Sequence, residues 1–391
     1  MTTIYLVRHA EAEGNLCRRM HGQYDSNITP NGLAQLADLK KRFERIPLDA
    51  CYTSDLTRAK NTALAICSAQ NLEFRVDPGF REVGIGVWED VSFGYLTTFH
   101  AHKMSQFGKD PMNWSVKDSE TYWQYTNRFL DSMEWAAQRH DGKAIAIVSH
   151  SVVMKGVLSR LFPNVRIPHS DNTAVSCLEY ENGQYRIQFL NDFSHLNESH
   201  RAHRGQKWWQ QDGAQGDDTL WFRTGMTEVD GLTPPPSPIV ITALEDFRPV
   251  GLICLSEDDA LTGRIDYLGL TPSYRGHGLS VQLLGQAVVY LRRMGKKTLR
   301  ARPTSDAALA ALDRKLFFEQ AEDGDLVLDL SLKLQPIEVC TAGIPAVAHR
   351  PPVMPVPLRR LLPSMASSMA VPASSAMSFM SSPNSSSTLS S

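Results

Sequence analysis

The chain has 391 residues, enough for two ordinary domains and a tail, and its 42% hydrophobic and 21% charged content is typical of a soluble globular protein. A formal net charge of −2 argues against nucleic acid or an anionic membrane as a partner. We expect a reduced, cytoplasmic protein, because no apolar stretch approaches the roughly 20 residues of a bilayer span, no secretory signal is visible, and the six cysteines lie far apart.

The first part of the chain alternates short apolar runs with helical patterns. The run IYLV near the N-terminus predicts a buried strand. The stretch from Thr29 and Pro30 predicts a helix, because threonine caps helices and proline suits their first turn. The segment DACYTS predicts a second strand, and Asp55 could cap the helix that follows it.

The same alternation continues to the end of this region. The run KAIAIVSH predicts another fully apolar strand with a helix after it, and the last pattern is a hairpin that turns at Asn182 and Gly183. Strands that alternate with helices predict an α/β domain with a mostly parallel sheet. We place this domain at residues 1–197.

Three further segments follow. Residues 198–217 lack periodicity and predict a connector. A second alternating region, residues 218–335, contains the strands PVGLICLS and GRIDYLGL, then a helix and another strand. Residues 336–391 are rich in Ser, Met, Pro and Ala and carry almost no charge, so we expect a disordered tail that cannot form a core.

Two predicted strands of the first domain end in histidine: His9, which follows Arg8, and His150. Ligands bind beyond the carboxyl ends of parallel strands, so the two imidazoles could face one pocket. Arg58 lies in the first turn of a predicted helix, where the N-terminus already attracts anions. Glu82 lies in a loop that contains glycines. Taken singly, each residue has an ordinary structural interpretation, such as a structural histidine, a solvated arginine or a local ion pair.

Taken together, two arginines, two histidines and one carboxylate suit phosphoryl transfer. Fixed cations stabilise the negative charge on the transferring group. A neutral imidazole nitrogen can attack phosphorus. A carboxyl group can protonate the leaving alcohol and later activate water. The chemistry needs no metal if side chains supply the cations.

These pieces resemble the histidine phosphatase superfamily, also called phosphoglycerate mutase-like. Five stretches match the family's motifs in the family's order, over about residues 1–195: LVRHAEAEGN, RRMHGQYDSNITPNG, TSDLTRAKNTA, REVGIGVWED and VSHSVVMKGVL. The resemblance implies a three-layer α/β fold and a phosphohistidine mechanism that uses no metal.

The resemblance also implies a role for each matching residue. His9 is the expected nucleophile, and Glu82 is the expected general acid and then the base for water. The phosphoryl group is expected to bind Arg8, Arg58 and His150. The residues expected to contact the substrate are Asn15, Arg19 and Gly22.

The first domain departs from the family pattern beside three motifs, where glycine is usual: Ala10, Asp90 and Ser151. These positions bear on substrate shape more than on chemistry. The interval from Glu82 to His150 is 150 − 82 = 68 residues, whereas the family's mutases usually carry a longer insertion there. The short interval favours hydrolysis of a small phosphorylated metabolite.

The second region contains the turn SYRGHG between a predicted strand and a predicted helix. Small residues let backbone N–H groups approach a pyrophosphate, although a simple tight turn has the same composition. With the preceding GRIDYLGL, the turn resembles the coenzyme A loop of the GNAT acetyltransferase family, over about residues 218–335. The resemblance implies an α+β fold, acetyl-CoA as cofactor, and four coenzyme contacts: Arg275, Gly276, His277 and Gly278.

This region also departs from its family. Ser273 stands where Gln or Arg is usual, and Asp306, Asp313 and the pair Phe317-Phe318 replace an asparagine, a tyrosine and Gly-Phe. The missing tyrosine bears on acetyl transfer rather than on coenzyme binding.

Several functions remain open at this point. The leading hypothesis is a bifunctional enzyme, a phosphatase fused to an acyl-CoA-dependent N-acetyltransferase. Asp313 favours an alternative in which the second domain senses coenzyme A without transfer. The short central interval disfavours a phosphoglycerate-type mutase. A non-enzymatic interaction protein is least favoured, because all five phosphatase motifs keep their chemical residues.

Overall fold

A computed structural model describes residues 1–201, 219–225, 228–303, 312 and 315–335. The predicted tail, Asp306, Asp313 and most of the predicted connector lie outside these ranges. Within them, every helix is too short or too polar to span a bilayer.

The first domain alternates strands and helices, as the sequence predicts. Its strands are β1 (Thr2–Arg8), β2 (Arg19–Met20), β3 (Ala50–Thr53), β4 (Phe74–Val76), β5 (Val91–Ser92), β6 (Ala144–Ser149), β7 (Val175–Glu181) and β8 (Gln184–Asp192). Its helices are α1 (Glu13–Leu16), α2 (Pro30–Phe43), α3 (Thr57–Ser68), α4 (Phe93–Phe99), α5 (Ala101–Lys109), α6 (Tyr122–Gln138) and α7 (Ser151–Leu161).

The central sheet has the order β4-β3-β6-β1-β7-β8. Strands β4, β3, β6 and β1 are parallel to one another. Strand β7 is antiparallel to β1, and β8 pairs with β7 in the predicted hairpin. Side chains alternate across the sheet, so Leu6 packs in one core with Phe129 of α6, and Val7 packs in the other core with Leu36 of α2. Helices therefore cover both faces, and the three-layer α/β fold is confirmed.

The structure confirms one predicted helix cap and contradicts another. The Thr29 hydroxyl accepts the Gly32 N–H at 3.0 Å, as expected. The prediction that Asp55 caps α3 is wrong, because its carboxylate instead takes two charge-assisted hydrogen bonds from Arg81, at 2.7 and 2.5 Å. Asp25 supplies the missing acceptor from another loop, since its Oδ1 accepts the Thr57 N–H at 2.8 Å.

The second domain is a mostly antiparallel sheet with one α-helix in its described part. Its strands are β9 (Trp221–Thr224), β10 (Ile239–Glu245), β11 (Arg248–Glu257), β12 (Thr262–Leu270), β13 (Thr298–Ala301), β14 (Glu319–Gln320) and β15 (Leu326–Asp329), and its helix is α8 (Ser280–Arg293). The strand order is β14-β15-β13-β12-β11-β10-β9. Leu283, Ala287 and Leu291 of α8 pack in the core of this sheet, which confirms the α+β architecture.

Strands β12 and β13 are parallel but pair over only part of their length. Their register runs from Thr262 opposite Thr298 to Ile265 opposite Ala301. Strand β12 continues to Leu270, and its pairing with β11 is interrupted at Asp266. Within the described residues, the end of β12 therefore has an open edge towards β13, at the side where the SYRGHG turn begins.

Candidate active site

Strands β1 and β6 deliver two histidines to one edge of the first sheet. The strands are parallel neighbours with Arg8 opposite Ser149, so the next residues, His9 and His150, emerge side by side. Their ring centroids lie 5.1 Å apart. Both side chains are buried, with 6% of His9 and none of His150 exposed. The structure thus brings the two sequence-predicted imidazoles together.

The environment of His9 selects a neutral ring with a free Nε2. Its Nδ1 lies 2.7 Å from the Ala10 carbonyl oxygen, which can only accept a hydrogen bond, so Nδ1 carries the hydrogen. Burial, and then the charges of Arg58 and Arg8, hold the pKa of His9 well below its usual value. At neutral pH the ring therefore presents a lone pair on Nε2, the form that a nucleophile needs.

Arg8 and Arg58 place two buried cations beside these rings. Arg8 Nη1 donates to the Ser170 carbonyl, and the two terminal nitrogens of Arg58 donate to the carbonyls of Tyr24, at 2.8 Å, and Gly22, at 2.7 Å. Burial lowers the pKa of Arg8 to about 10, which leaves it charged at neutral pH. Because carbonyls hold both guanidinium groups, the site keeps positive charge to offer an anion.

Several polar atoms of this cluster are buried without a hydrogen-bond partner in the described part of the chain. They are Arg8 Nε, both ring nitrogens of His150 and Asn172 Oδ1. An unsatisfied buried polar group costs about 1–3 kcal/mol, so the Arg8 Nε–H and the single N–H of a neutral His150 ring indicate a site for an anionic ligand. Burial also holds the pKa of His150 well below its usual value.

Glu82 lies at the N-terminus of α7, which begins directly after His150. Its Oε1 accepts the Val153 N–H at 2.8 Å and its Oε2 accepts the Val152 N–H at 3.1 Å. The first turn of α7 therefore fixes both oxygens of the Glu82 side chain. The Glu82 carbonyl oxygen accepts a hydrogen bond from Arg128 at 2.7 Å, which fixes the loop. A carboxyl group is therefore held beside the imidazole pair.

Two of the three predicted substrate contacts join the cluster. Asn15 Oδ1 accepts the Ala12 N–H at 3.0 Å and an N–H of Asn172 at 3.4 Å. Gly22 has φ of +55° and offers its carbonyl to Arg58. A Cβ at Gly22 would lie 2.5 Å from Ile85 Cγ1, so the turn needs glycine.

Arg19 has other partners than the cluster, and its contact with substrate stays a prediction. Its Nε donates to Asp90 Oδ1 at 2.7 Å, its Nη2 donates to the Asp90 carbonyl, and its Nη1 donates to Gln286 of the second domain at 2.5 Å. The cause is one of the sequence departures noted above: Asp90 stands where the family has glycine. The carboxylate at this position binds the Arg19 guanidinium.

Sequence reasoning missed the residues that support the cluster from other segments. Asn172 Nδ2 donates to the His9 carbonyl at 2.9 Å, and the Ala10 N–H donates to the Thr62 hydroxyl at 3.0 Å. A signal for Asn172 existed in the topology. Because β7 runs antiparallel to β1, the residues before β7 lie beside the residues after β1.

Comparisons with known proteins agree with this geometry. The Histidine phosphatase superfamily (branch 1) matches residues 4–193. A protein of Serratia proteamaculans named "Probable phosphoglycerate mutase GpmB" is 31% identical over 159 residues, covering 41% of this chain and 74% of that protein. The chain belongs to the histidine phosphatase superfamily. The Acetyltransferase (GNAT) family matches residues 199–316, so this histidine phosphatase also carries a GNAT domain.

Other similar proteins include two phosphoserine phosphatases. "Phosphoserine phosphatase 1" of Hydrogenobacter thermophilus is 28% identical and covers 52% of this chain and 99% of that protein. "Metal-independent phosphoserine phosphatase" of Arabidopsis thaliana is 27% identical and covers 52% of this chain and 87% of that protein. The solved structure of Bacillus stearothermophilus YhfR is 28% identical, covers 50% of this chain and 100% of that one, and gives a TM-score of 0.48.

The GNAT domain of this histidine phosphatase presents the predicted turn at the start of α8. Gly276 and Gly278 have φ of +80° and +76°, and a Cβ at either would meet no atom within 4 Å. In the part of the chain that the structure describes, no side chain caps α8 at Leu279. Arg275 Nε donates to the Leu270 carbonyl at 2.9 Å, which ties the turn to the end of β12. His277 is exposed on the same turn.

Proposed function

We propose that the first domain hydrolyses small phosphate monoesters through a phosphohistidine at His9, without a metal. The observation that carries the proposal is the neutral, buried His9 with a free Nε2, next to two guanidinium groups that donate to backbone carbonyls among the described residues. Asp25 Oδ1 lies 4.0 Å from Arg58 Nη1, beyond hydrogen-bond distance. This arrangement supplies a nucleophile and the charge that a phosphoryl group requires.

In the first step, His9 Nε2 attacks phosphorus as the bond from phosphorus to the ester oxygen breaks. Arg8, Arg58 and His150 bind the equatorial phosphoryl oxygens, which accept the unpartnered N–H groups of Arg8 and His150. The departing alkoxide takes a proton from Glu82. Glu82 Oε1 accepts two backbone N–H groups, from Val153 and Val83, whereas Oε2 accepts one, so Oε2 keeps a lone pair that can carry the proton.

In the second step, the Glu82 carboxylate takes a proton from water. The water oxygen forms a bond to phosphorus, and the bond from phosphorus to Nε2 breaks. Inorganic phosphate leaves, and His9 and Glu82 return to their starting protonation states. The overall reaction converts a phosphate monoester and water into an alcohol and phosphate.

Phosphoserine is the first substrate to test, because two of the similar proteins are named as phosphoserine phosphatases. The experiment compares phosphoserine with other small phosphate esters, using the full chain in EDTA and measuring inorganic phosphate. Activity should survive EDTA and be lost in His9→Ala. His102→Ala, which removes an exposed histidine of α5, serves as the matched control. Equal activity in the two variants would exclude His9 as the nucleophile.

A phosphoglycerate-type mutase is a second candidate, favoured by the name of the Serratia relative. The two candidates differ in their products. With 3-phosphoglycerate, a mutase yields the 2-phosphate isomer, whereas the proposed phosphatase releases inorganic phosphate. Measuring both products in one reaction distinguishes them.

We further propose that the GNAT domain binds acetyl-CoA and transfers the acetyl group to an amine. The uncapped start of α8, the two left-handed glycines before it and the open edge of β12 support coenzyme binding. Asp313 replaces the usual tyrosine, which favours a coenzyme sensor as the alternative. Acetyl-CoA hydrolysis or transfer to a panel of amines, measured by thiol release, separates an acetyltransferase from a sensor that binds without turnover.

A further inference from the structure

Helix α8 contacts both domains. One face packs in the core of the second sheet, and the other faces α1 and β2 of the first domain. A Cβ at Gly285 would lie 2.4 Å from Cys17 Cβ, so glycine permits this close approach. The cavity that remains between α8 and the first domain measures about 10 Å³, room for at most one water. Helix α8 is therefore closely packed against the first domain.

Arg292, in the last turn of α8, makes the most extensive polar contact across this boundary. Its two terminal nitrogens donate to the two carboxylate oxygens of Glu13, at 2.5 and 2.9 Å. Its Nε donates to the Leu330 carbonyl at 2.8 Å, which fixes the direction of the guanidinium. The Tyr24 hydroxyl interacts with the same guanidinium. The ion pair is buried, with 13% of the Arg292 side chain and 11% of the Glu13 side chain exposed.

Both partners of Arg292 lie next to residues of the phosphoryl site. Glu13 begins α1, and Asn15 of α1 connects through Asn172 to the His9 carbonyl. Tyr24 offers its own carbonyl to Arg58 at 2.8 Å. Arg292 thus contacts two residues of segment 13–27, Glu13 and Tyr24. A short series of contacts connects each of them to a residue that would bind the phosphoryl group.

This segment depends on such support. Helix α1 has only four residues, and a helix of one turn is not stable by itself. The second domain also holds the far end of the segment. Asn27 donates to the Ser331 carbonyl at 2.8 Å and accepts the Lys333 N–H at 2.8 Å. The second domain therefore contacts the segment at both ends.

We propose that Arg292 is a positioning residue for the phosphatase site, through which the GNAT domain completes the substrate pocket of the first domain. The proposal rests on the phosphatase function proposed above. Without the guanidinium, Glu13 and Tyr24 are released, and Asn15 and Arg58 lose their fixed positions. Phosphate esters then bind more weakly, while His9 and Glu82 keep their own supports. Removal of Arg292 should therefore raise KM more than it lowers kcat.

The test compares four variants of the full chain: Arg292→Ala, Arg292→Lys, Glu13→Gln and Arg302→Ala. Arg302 is the matched control, because this second-domain arginine also pairs with a carboxylate, Asp325, at 2.8 Å. Each protein is assayed for KM and kcat with phosphoserine and 4-nitrophenyl phosphate in EDTA. Affinity for inorganic phosphate is measured by calorimetry, and folding is checked by thermal unfolding.

We expect Arg292→Ala to raise KM and the phosphate Kd about 10-fold, with kcat changed less than about 3-fold. Glu13→Gln should act similarly, Arg292→Lys should recover part of the loss, and Arg302→Ala should match the wild type. A lower unfolding temperature in Arg292→Ala with unchanged KM and phosphate Kd would overturn the inference and leave a structural ion pair. Absence of turnover in the wild type would contradict the phosphatase proposal alone, and phosphate binding would still decide the role of Arg292.

Discussion

The ring centroids of His9 and His150 lie 5.1 Å apart, at the ends of two neighbouring parallel strands. Both rings are buried between two arginines, and burial followed by those charges lowers the pKa of each. The arginines therefore supply the positive charge of the site, and His9 is free to act as a nucleophile at neutral pH. The predictions below follow from this division of roles.

The first prediction concerns the pH dependence of kcat/KM. A lowered pKa means that the folded protein releases the His9 proton more readily, so Nε2 stays unprotonated below pH 6.5. After correction for ionisation of the substrate phosphate, with a pKa of about 6, kcat/KM should not fall with a midpoint near 6.5. An acid limb centred at the ordinary histidine pKa would show that burial and the two arginines do not lower the pKa of His9.

The second prediction concerns Glu82→Gln, which keeps the shape of the side chain and removes the proton donor. Loss of a general acid typically costs about 10²- to 10⁴-fold in rate. The loss should appear with phosphoserine, whose alkoxide needs a proton. It should be much smaller with 4-nitrophenyl phosphate, whose leaving group is stable as an anion. Steady-state kinetics on both esters with the same protein preparation makes the comparison, and equal losses would argue for a purely structural Glu82.

The third prediction concerns the packing of α8 against the first domain. Gly285→Ala places a Cβ 2.4 Å from Cys17 Cβ, and overpacking of this kind destabilises by about 1–3 kcal/mol. Gly108→Ala is the control, because Gly108 is also helical and its Cβ would meet no atom within 4 Å. That control should be neutral or stabilising by up to about 1 kcal/mol. Urea unfolding measures both, and equal free energies of unfolding would mean that the helix does not approach Cys17 this closely.

The fourth prediction concerns the coenzyme turn. Gly278→Glu puts a bulky anion where the pyrophosphate of acetyl-CoA would meet the start of α8, so binding in calorimetry should weaken at least about 100-fold. Gly295→Glu is a matched control, because Gly295 has φ of +79°, similarly open surroundings and a place just after the other end of α8. Equal affinities in the two variants, or no binding by the wild type, would remove acetyl-CoA from this turn.

Local sequence patterns predicted much of the side-chain cluster around His9 and His150. An apolar strand followed by Arg8 and His9, a second strand ending at His150 and an arginine in the first turn of α3 each place a side chain by short-range geometry alone. Parallel pairing then brings these strand ends together. The hairpin at Asn182 and Gly183 was predictable for the same reason, because both residues accept positive φ.

Long-range contacts were not predictable in this way. Asp55 has the right sequence position to cap α3, but in the fold its carboxylate binds Arg81, which lies 26 residues away in sequence. Arg19 matches a family motif, yet its guanidinium pairs with Asp90, which lies 71 residues later in the sequence. The pair between Glu13 and Arg292 spans 279 residues and joins two domains that the sequence presents as separate. Each case depends on which side chains the tertiary fold places opposite one another.

The most direct test of the account is a rapid-quench experiment with ³²P-labelled phosphoserine in EDTA, or with another ester that the substrate screen finds to be cleaved. Wild-type protein should form a labelled adduct within one turnover that is labile in acid and stable in base, as expected for phosphohistidine, and peptide mapping should assign it to His9. His102→Ala should form the same adduct, and His9→Ala should form none. Turnover that persists in His9→Ala, or an adduct that maps to another residue, would contradict the central claim that His9 carries the phosphoryl group.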